Sequence, residues 1–200
     1  MRKTCFQPAW IIISLLCSHF VGAASLTPNE AVMATTQEVL TRLELDKARL
    51  KAEPGYSKEI VRELIVPHMD FRTMTALILG KNWSIMSEAK QDCFSSSFRK
   101  LLIERYSDIL LSYRDQDIQY QPAKPIGKRG YVSVLQTLTR GDKKPLTIGY
   151  PMRPQGEVWV VVDLVVDDVS LIRSYRLMYR KEIKQKGLAD FIQGFEGCRN

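Results

Sequence analysis

The sequence predicts an α+β fold: N-terminal helices, then a curved antiparallel sheet of about four strands, then C-terminal helices. Apolar residues recur at helical spacing up to position 113 and at a period of two from position 115 onward. Three of the predicted strands are joined by short loops, which is typical of an antiparallel meander. Helical spacing returns after Val169. The chain has no internal repeat, and its 200 residues suit a single domain.

The N-terminus predicts a secretory signal peptide over residues 1–24. A cationic start, Arg2-Lys3, is followed by a mostly apolar segment from Ala9 to Val21 and by small residues. The apolar segment is shorter than the about 20 residues that a membrane span needs. We therefore expect export to the periplasm, with cleavage near Ala23/Ala24.

Residues 25–200 form the predicted mature domain. Loss of the leader removes two basic residues and no acidic one, which lowers the formal charge from +7 to +5. This modest positive charge fits docking to acidic partners or anionic lipid surfaces. An exported protein without a basic cluster interleaved with aromatics is not expected to bind nucleic acid. His68 is the only histidine left, so no metal site is expected. Cys93 is predicted in a helix and Cys198 in the final tail; two unpaired thiols are slightly favoured over a disulfide.

Four helices are predicted before the sheet. Thr27-Pro28-Asn29-Glu30 is a capping box with proline at the first helical position, which marks a helix start. Side chains that accept a hydrogen bond are expected to cap the helices that follow: Ser57 a short one, Asp70 that over Phe71–Leu79, and Ser87 the longest, Glu88–Tyr113.

Four strands are then predicted, from alternating or continuous apolar residues. They are a short strand at Ile118 and Tyr120 that Pro122 and Pro125 finish, then Tyr131–Thr139, Leu146–Met152 and Val158–Val166. The last is rich in valine, which indicates a strand covered on both faces. Asp167-Asp168 is expected to turn the chain into a helix with a basic outer face, and Gly187 to separate it from a last helix.

Several short strings occur in a fixed order along nearly all of the predicted mature chain. They are Pro67-x-x-Asp70-Phe71, Gly80-x-x-Trp83, a helix with Phe94, Phe98, Leu102 and Tyr106, and Trp159-x-Val161-x-Asp163 followed by Val169-Ser170-Leu171, Ser174-Tyr175-Arg176 and Gly187-Leu188. Their order and spacing together resemble the MlaC family of periplasmic phospholipid-binding proteins, also called the toluene-tolerance family. The chain departs from that pattern at Asp167-Asp168, where the family usually has Asp/Glu-Gly, and at Gly149 and Pro151.

The resemblance implies a cone-shaped sheet of the NTF2-like kind whose interior holds phospholipid acyl chains as cargo. It implies a soluble periplasmic carrier, with no cofactor and no catalytic residues. Such a carrier moves lipid between an outer-membrane lipoprotein complex and an inner-membrane transporter, and so maintains outer-membrane lipid asymmetry. We expect a monomer. The headgroup preference, the number of chains held and the direction of transport are left open.

Apolar residues on the long helix and on the strands are the expected lining of a lipid cavity. The nine candidates are Phe94, Phe98, Leu102, Tyr106, Val134, Ile148, Tyr150, Trp159 and Val161. Alternation along a strand puts successive side chains on opposite faces, and the sequence does not say which face is turned to a cavity. For any one of these residues, a place in a packed core is the alternative.

Two other functions are open to the same fold. Asp163 lies inside an apolar strand, and a buried carboxylate is a possible general base of a small NTF2-like enzyme. No nucleophile–base pair accompanies it, so we expect the protein not to be an enzyme and Asp163 to accept hydrogen bonds from a backbone N–H or a nearby arginine. The third function is a structural periplasmic adaptor that docks through the basic helix 169–184.

Overall fold

A computed structural model describes residues 25–108, 117–127, 130–139, 141 and 144–198. In these ranges, helices precede and follow an antiparallel sheet, so the predicted α+β class is confirmed. The predicted signal peptide lies outside the described residues, as do residues 109–113 of the predicted helix 88–113. The α-helix itself ends at Tyr106, earlier than predicted. None of the helices in the described ranges combines the length and apolar character needed to cross a bilayer.

The first helix is anchored to the sheet at its N-terminus. The predicted capping box is confirmed: Thr27 Oγ1 accepts from Glu30 N, and Thr27 N donates to Glu30 Oε2 at 2.7 Å. The Asn29 amide then bridges to the first strand, donating to Gln121 O (2.9 Å) and accepting from Ala123 N (2.7 Å). The N-terminal helical segments are α1 (Pro28–Leu45), α2 (Lys47–Ala52), α3 (Tyr56–Ile60), a π-helical turn (Val61–Ile65) and a 3₁₀ turn (Val66–His68).

Ser57 does not cap α3, so that prediction is wrong. Gly55 takes the cap position with a left-handed φ of +89°, which glycine adopts without steric cost. Ser57 is instead buried one residue inside the helix, and its hydroxyl donates to Asp108 Oδ1 at 2.8 Å. A tertiary hydrogen bond thus replaces the local one that the sequence predicted.

A second group of helices forms a layer with an aromatic core. Its members are α4 (Phe71–Leu79), α5 (Lys81–Ser84), α6 (Glu88–Tyr106), α7 (Leu171–Lys186) and α8 (Leu188–Gln193). The predicted caps are confirmed at Asp70, which accepts from Thr73 N, and at Ser87, which accepts from Lys90 N. The predicted break between the last two helices at Gly187 is confirmed too.

The sheet contains six strands among the described residues, in the order β1-β2-β3-β5-β6, with β4 also paired to β3. Their bounds are β1 (Asp117–Pro125), β2 (Val132–Thr139), β3 (Leu146–Gln155), β4 (Val158–Val161), β5 (Val165–Val166) and β6 (Val169–Ser170). β1 ends at Pro125, as predicted, but it is not interrupted at Pro122, because the register shifts between Gln121 and Lys124 and Asn29 bonds the backbone there.

The predicted single strand Val158–Val166 is wrong: it is two strands, β4 and β5, separated by an irregular stretch. β3 pairs Met152 with Val161 and Gly149 with Val165, so three residues of one strand face two of the other. This extra residue is a β-bulge, which bends a strand and interrupts its alternation. The prediction that this valine-rich segment is buried on both faces also fails at its two ends, since Val158 and Val166 are exposed.

Asp167 and Asp168 form a tight turn between β5 and β6. Both have a positive φ, +43° and +65°, as in the turns that favour Asn-Gly or Asp-Gly. Asp167 accepts hydrogen bonds from the backbone N–H (3.0 Å) and hydroxyl (3.1 Å) of Thr147. These bonds and the neighbouring Lys144 charge hold the pKa of Asp167 below its usual value. The Asp168 side chain makes no hydrogen bond or ion pair within the described ranges.

Asp168→Gly should therefore stabilise the protein. An L-residue is strained in the left-handed region, where glycine is not. The substitution also removes the negative charge of Asp168, which lies next to that of Asp167. We expect the free energy of unfolding to rise by about 0.5–1 kcal/mol in chemical denaturation. The matched variant Asp167→Gly loses the bonds from Thr147 and should not stabilise. A lower free energy of unfolding for Asp168→Gly would contradict this account of the turn.

Cys93 and Cys198 form a disulfide, with their Cα atoms 5.5 Å apart, so the expectation of two unpaired thiols is wrong. The chain after α8 folds back onto α6. The ring of Phe195 lies 4.9 Å from that of Phe94, edge to face, and Ser97 Oγ donates to the Glu196 carbonyl at 2.7 Å. These contacts bring residues 195–198 beside α6, a juxtaposition that spacing along the sequence does not reveal.

Candidate functional site

A large apolar cavity lies between the sheet and the helices. Its volume is about 710 Å³, within the roughly 300–1,000 Å³ of ligand pockets in proteins, and it is partly open to solvent. Its walls come from α1, the π-helical and 3₁₀ turns, the start of α4, the end of α6, strands β2 to β6 with the irregular stretch after β4, and the first half of α7. Most of the lining side chains are aliphatic or aromatic, so the cavity suits a long apolar ligand.

Six of the nine predicted lining residues lie in the cavity wall, and three do not. The six are Leu102, Tyr106, Ile148, Tyr150, Trp159 and Val161. They come from the last turns of α6 and from strands β3 and β4. The structure thus brings together residues as far apart in the sequence as Leu102 and Val161. Their contact with a ligand stays a prediction.

Phe94, Phe98 and Val134 do not line the cavity, which corrects the expectation that these three residues do so. Phe94 and Phe98 are fully buried in the aromatic core of the helical layer. Phe98 packs edge to face on Tyr175 at 5.0 Å. Val134 is fully buried in a separate cluster between α1 and the sheet. Only the C-terminal turns of α6 extend beyond the helical layer to the cavity.

Several other residues line the cavity although no functional role was predicted for them. On α1 they include Thr35 and Thr36, whose polar side chains carry no signal for an apolar wall. Val61 and Ile65 belong to the π-helical turn, an irregularity often found at functional sites. Their apolar periodicity was visible, but it predicts packing and does not distinguish a cavity from a core.

One polar group in the cavity wall is fully engaged with protein. Gln136 is buried, and its Nε2 donates to Tyr120 Oη (3.2 Å) and Thr36 Oγ1 (3.4 Å). Its Oε1 accepts from Tyr150 Oη at 2.6 Å. A buried amide needs such partners, and here the surrounding side chains supply them. This network ties α1 to β1, β2 and β3 and stabilises the wall.

The wall is also fixed by an ion pair at the start of α4. Arg153 Nε donates to Asp70 Oδ2 at 2.7 Å, while Thr73 N donates to Asp70 Oδ1 at 2.9 Å. Burial opposes ionisation of Asp70, but the bonds from Thr73 and Arg153 outweigh it and hold the pKa of that carboxyl below its usual value. Asp70 N also donates to Val161 O at 2.9 Å, so Met69 is held against the cavity.

Asp163 has a structural role and does not line the cavity. Its Oδ1 accepts from Leu164 N (2.8 Å) and Ile172 N (3.0 Å), and its Oδ2 accepts from Ser170 Oγ (2.5 Å). The predicted backbone partner is confirmed, and Asp163 thereby caps the N-terminus of α7. With its acceptor atoms bonded in this way, Asp163 is poorly placed to act as a general base. No group of three or more His, Cys, Asp or Glu residues suited to a metal occurs among the described residues.

Comparison with known proteins gives one family and several relatives. Residues 33–196 match the family model described as MlaC protein. The chain is 25% identical over 191 residues to toluene tolerance protein Ttg2D of Pseudomonas putida, which covers 94% of this chain and 88% of that protein. It is 25% identical over 166 residues to the intermembrane phospholipid transport system binding protein MlaC of Haemophilus influenzae, covering 76% and 77% of the two chains.

The fold is similar to that of a phospholipid-binding protein from Ralstonia solanacearum, solved in complex with a phospholipid. The TM-score is 0.71, and the match covers 82% of this chain and 93% of that one. Sequence identity is 23%, so this likeness shows a common fold.

Proposed function

We propose that this chain, which belongs to the MlaC family, is a periplasmic carrier that holds the acyl chains of a phospholipid in its cavity. The resemblance inferred from the sequence is confirmed. The single observation that carries the proposal is the apolar cavity of about 710 Å³ in the described part of the chain. The names of the relatives support it, since one is a phospholipid transport binding protein and another was solved with phospholipid.

The energetics favour acyl chains as the ligand. The two tails of a phospholipid hold roughly 30 methylene groups, and each is worth about 0.8 kcal/mol when removed from water. A protein that takes a lipid from a bilayer must offer the tails a comparable apolar environment. The cavity wall supplies it with aliphatic and aromatic side chains, and no cofactor is needed.

Export and docking are further parts of the proposal. The predicted signal peptide places the mature chain in the periplasm, with its start near Ala24, and residues 25–200 as one domain. Transient docking to an inner-membrane transporter and an outer-membrane lipoprotein complex would let the carrier load and unload. Exposed cations on the outer face of α7 support docking to acidic surfaces: Arg173, Arg176, Arg180, Lys181 and Lys184 form no ion pair within the described ranges.

Mass spectrometry of the protein purified after expression with its leader is the test of this function. Diacyl phospholipids should co-purify in about the proportions of the host membrane, because the tails supply most of the affinity. The mature N-terminus should be Ala24 or Ser25. A stoichiometric small polar metabolite in place of lipid would support the enzyme alternative, and an empty protein that takes up no added phospholipid would support the adaptor.

A further inference from the structure

The polar groups around the cavity fall into two kinds. The Gln136 amide is satisfied by protein side chains, as described above. Tyr175 is different, because its hydroxyl is buried and has no hydrogen-bond partner of acceptable geometry in the described ranges. Tyr175 lies on α7 and its side chain contributes to the cavity wall, as does that of Tyr106, whose hydroxyl is next to that of Tyr175.

The position of Tyr175 is fixed by packing. Its side chain is 4% exposed, and its ring lies edge to face on Phe98 (5.0 Å) and tilted against Tyr179 (5.4 Å). Burial, and secondly the neighbouring Tyr106 hydroxyl, raise the pKa of Tyr175 well above its usual value. The hydroxyl is therefore protonated at physiological pH and acts as a hydrogen-bond donor.

A buried donor without a partner destabilises the lipid-free protein, and native structures rarely keep one without a reason. An acyl chain offers no acceptor, but the ester carbonyl that joins it to glycerol does. Phosphate lies close to the esters in a glycerophospholipid, because glycerol links them. A site for the ester should therefore have a cation nearby.

Arg105 meets that requirement. It lies in the last turn of α6, is exposed and also lines the cavity. Its guanidinium is close enough to Tyr175 to act on it electrostatically, and it forms no ion pair within the described ranges. Guanidinium groups suit phosphate because their planar N–H groups match its oxygen atoms.

We propose that Tyr175 Oη donates a hydrogen bond to an ester carbonyl of the bound glycerophospholipid and that Arg105 binds its phosphate. This inference rests on the proposed lipid-carrier function. It assigns an orientation to the ligand: the glycerol lies between the end of α6 and the start of α7, and the tails extend toward the sheet and α1.

The test compares two forms of phosphatidylglycerol with identical chains, one linked by esters and one by ethers. Delipidated protein is offered an equal mixture, and the bound lipid is measured by mass spectrometry. The wild type should prefer the ester-linked lipid by about three- to tenfold, the range expected for one neutral hydrogen bond. Tyr175→Phe should bind both forms equally.

Tyr150→Phe is the matched control, because Tyr150 also lines the cavity but its hydroxyl donates to Gln136. This variant should keep the ester preference. Lipid-free Tyr175→Phe should melt at the same temperature as the wild type or higher, since it loses a buried donor without a partner. Arg105→Gln should lower the preference for phosphatidylglycerol over the uncharged diacylglycerol with the same chains.

Each outcome decides one part of the proposal. Equal binding of both forms by the wild type, or an ester preference that survives in Tyr175→Phe, would overturn the role of Tyr175. An unchanged preference for phosphatidylglycerol in Arg105→Gln would overturn the role of Arg105. Failure of the wild type to bind either lipid would instead overturn the carrier function itself, so the two failures are distinguishable.

Discussion

Ile148→Lys should yield a folded protein that carries no phospholipid. Ile148 is 5% exposed, yet it lines the cavity from the middle of β3, where its backbone pairs with Gln136 and Val166. A bound acyl chain would remove water from an ammonium group at this position, and that loss of hydration makes lipid binding unfavourable. Because the cavity is partly open to solvent, water can hydrate the charge without unfolding the domain. Mass spectrometry of the purified variant measures its lipid content, and a thermal melt measures its folding.

Val134→Lys is the matched control and should unfold. Val134 lies on β2, paired with Tyr150, but it is fully buried and does not line the cavity. An unpaired charge in a packed core is destabilising by about 3–5 kcal/mol, comparable with the loss of one partner from a buried ion pair. If Ile148→Lys unfolds as Val134→Lys does, the cavity is not an accessible space in solution. If it folds and keeps stoichiometric lipid, the acyl chains lie elsewhere.

Local sequence signals predicted most of the helices and the fold class. The caps at Thr27, Asp70 and Ser87 were predictable because each depends on residues within four positions of the helix start. The same reasoning failed at Ser57, where a tertiary hydrogen bond to Asp108 replaced the local one. The predicted residues of β2 agree with the structure to within one position, because alternation there is regular.

The cavity was predicted less well, because apolar periodicity marks buried positions and not empty space. On α6, Phe98 packs on Tyr175 whereas Leu102, one turn later, lines the cavity. Both are apolar and occupy the same stripe, so the sequence pattern does not distinguish them. The bulge after Val161 likewise depends on how β4 and β5 pair with β3, which the valine run alone does not contain.

Removal of the Cys93–Cys198 disulfide should have the opposite signature from Ile148→Lys: lower stability with lipid retained. The two cysteines are separated by 105 residues, and neither lines the cavity. A cross-link over so long a loop restricts the unfolded chain, which contributes about 3–5 kcal/mol to the free energy of unfolding. We expect a loss of that size in chemical denaturation of the Cys93→Ala/Cys198→Ala double variant.

Reductant is the matched control for this variant, because it should destabilise the wild type by a similar amount and leave the double variant unchanged. Below its lower melting temperature, the double variant should still co-purify with phospholipid in the wild-type amount. The physical reason is that the disulfide joins the end of the chain to α6 within the aromatic layer, where Phe94 and Phe195 already pack together. Phe94, Phe195 and the two cysteines support the helices behind the cavity wall, and none of these four residues lines the cavity. A folded double variant that had lost its lipid would contradict this separation, and a loss of stability under about 1 kcal/mol would contradict the cross-link's constraint on the unfolded chain.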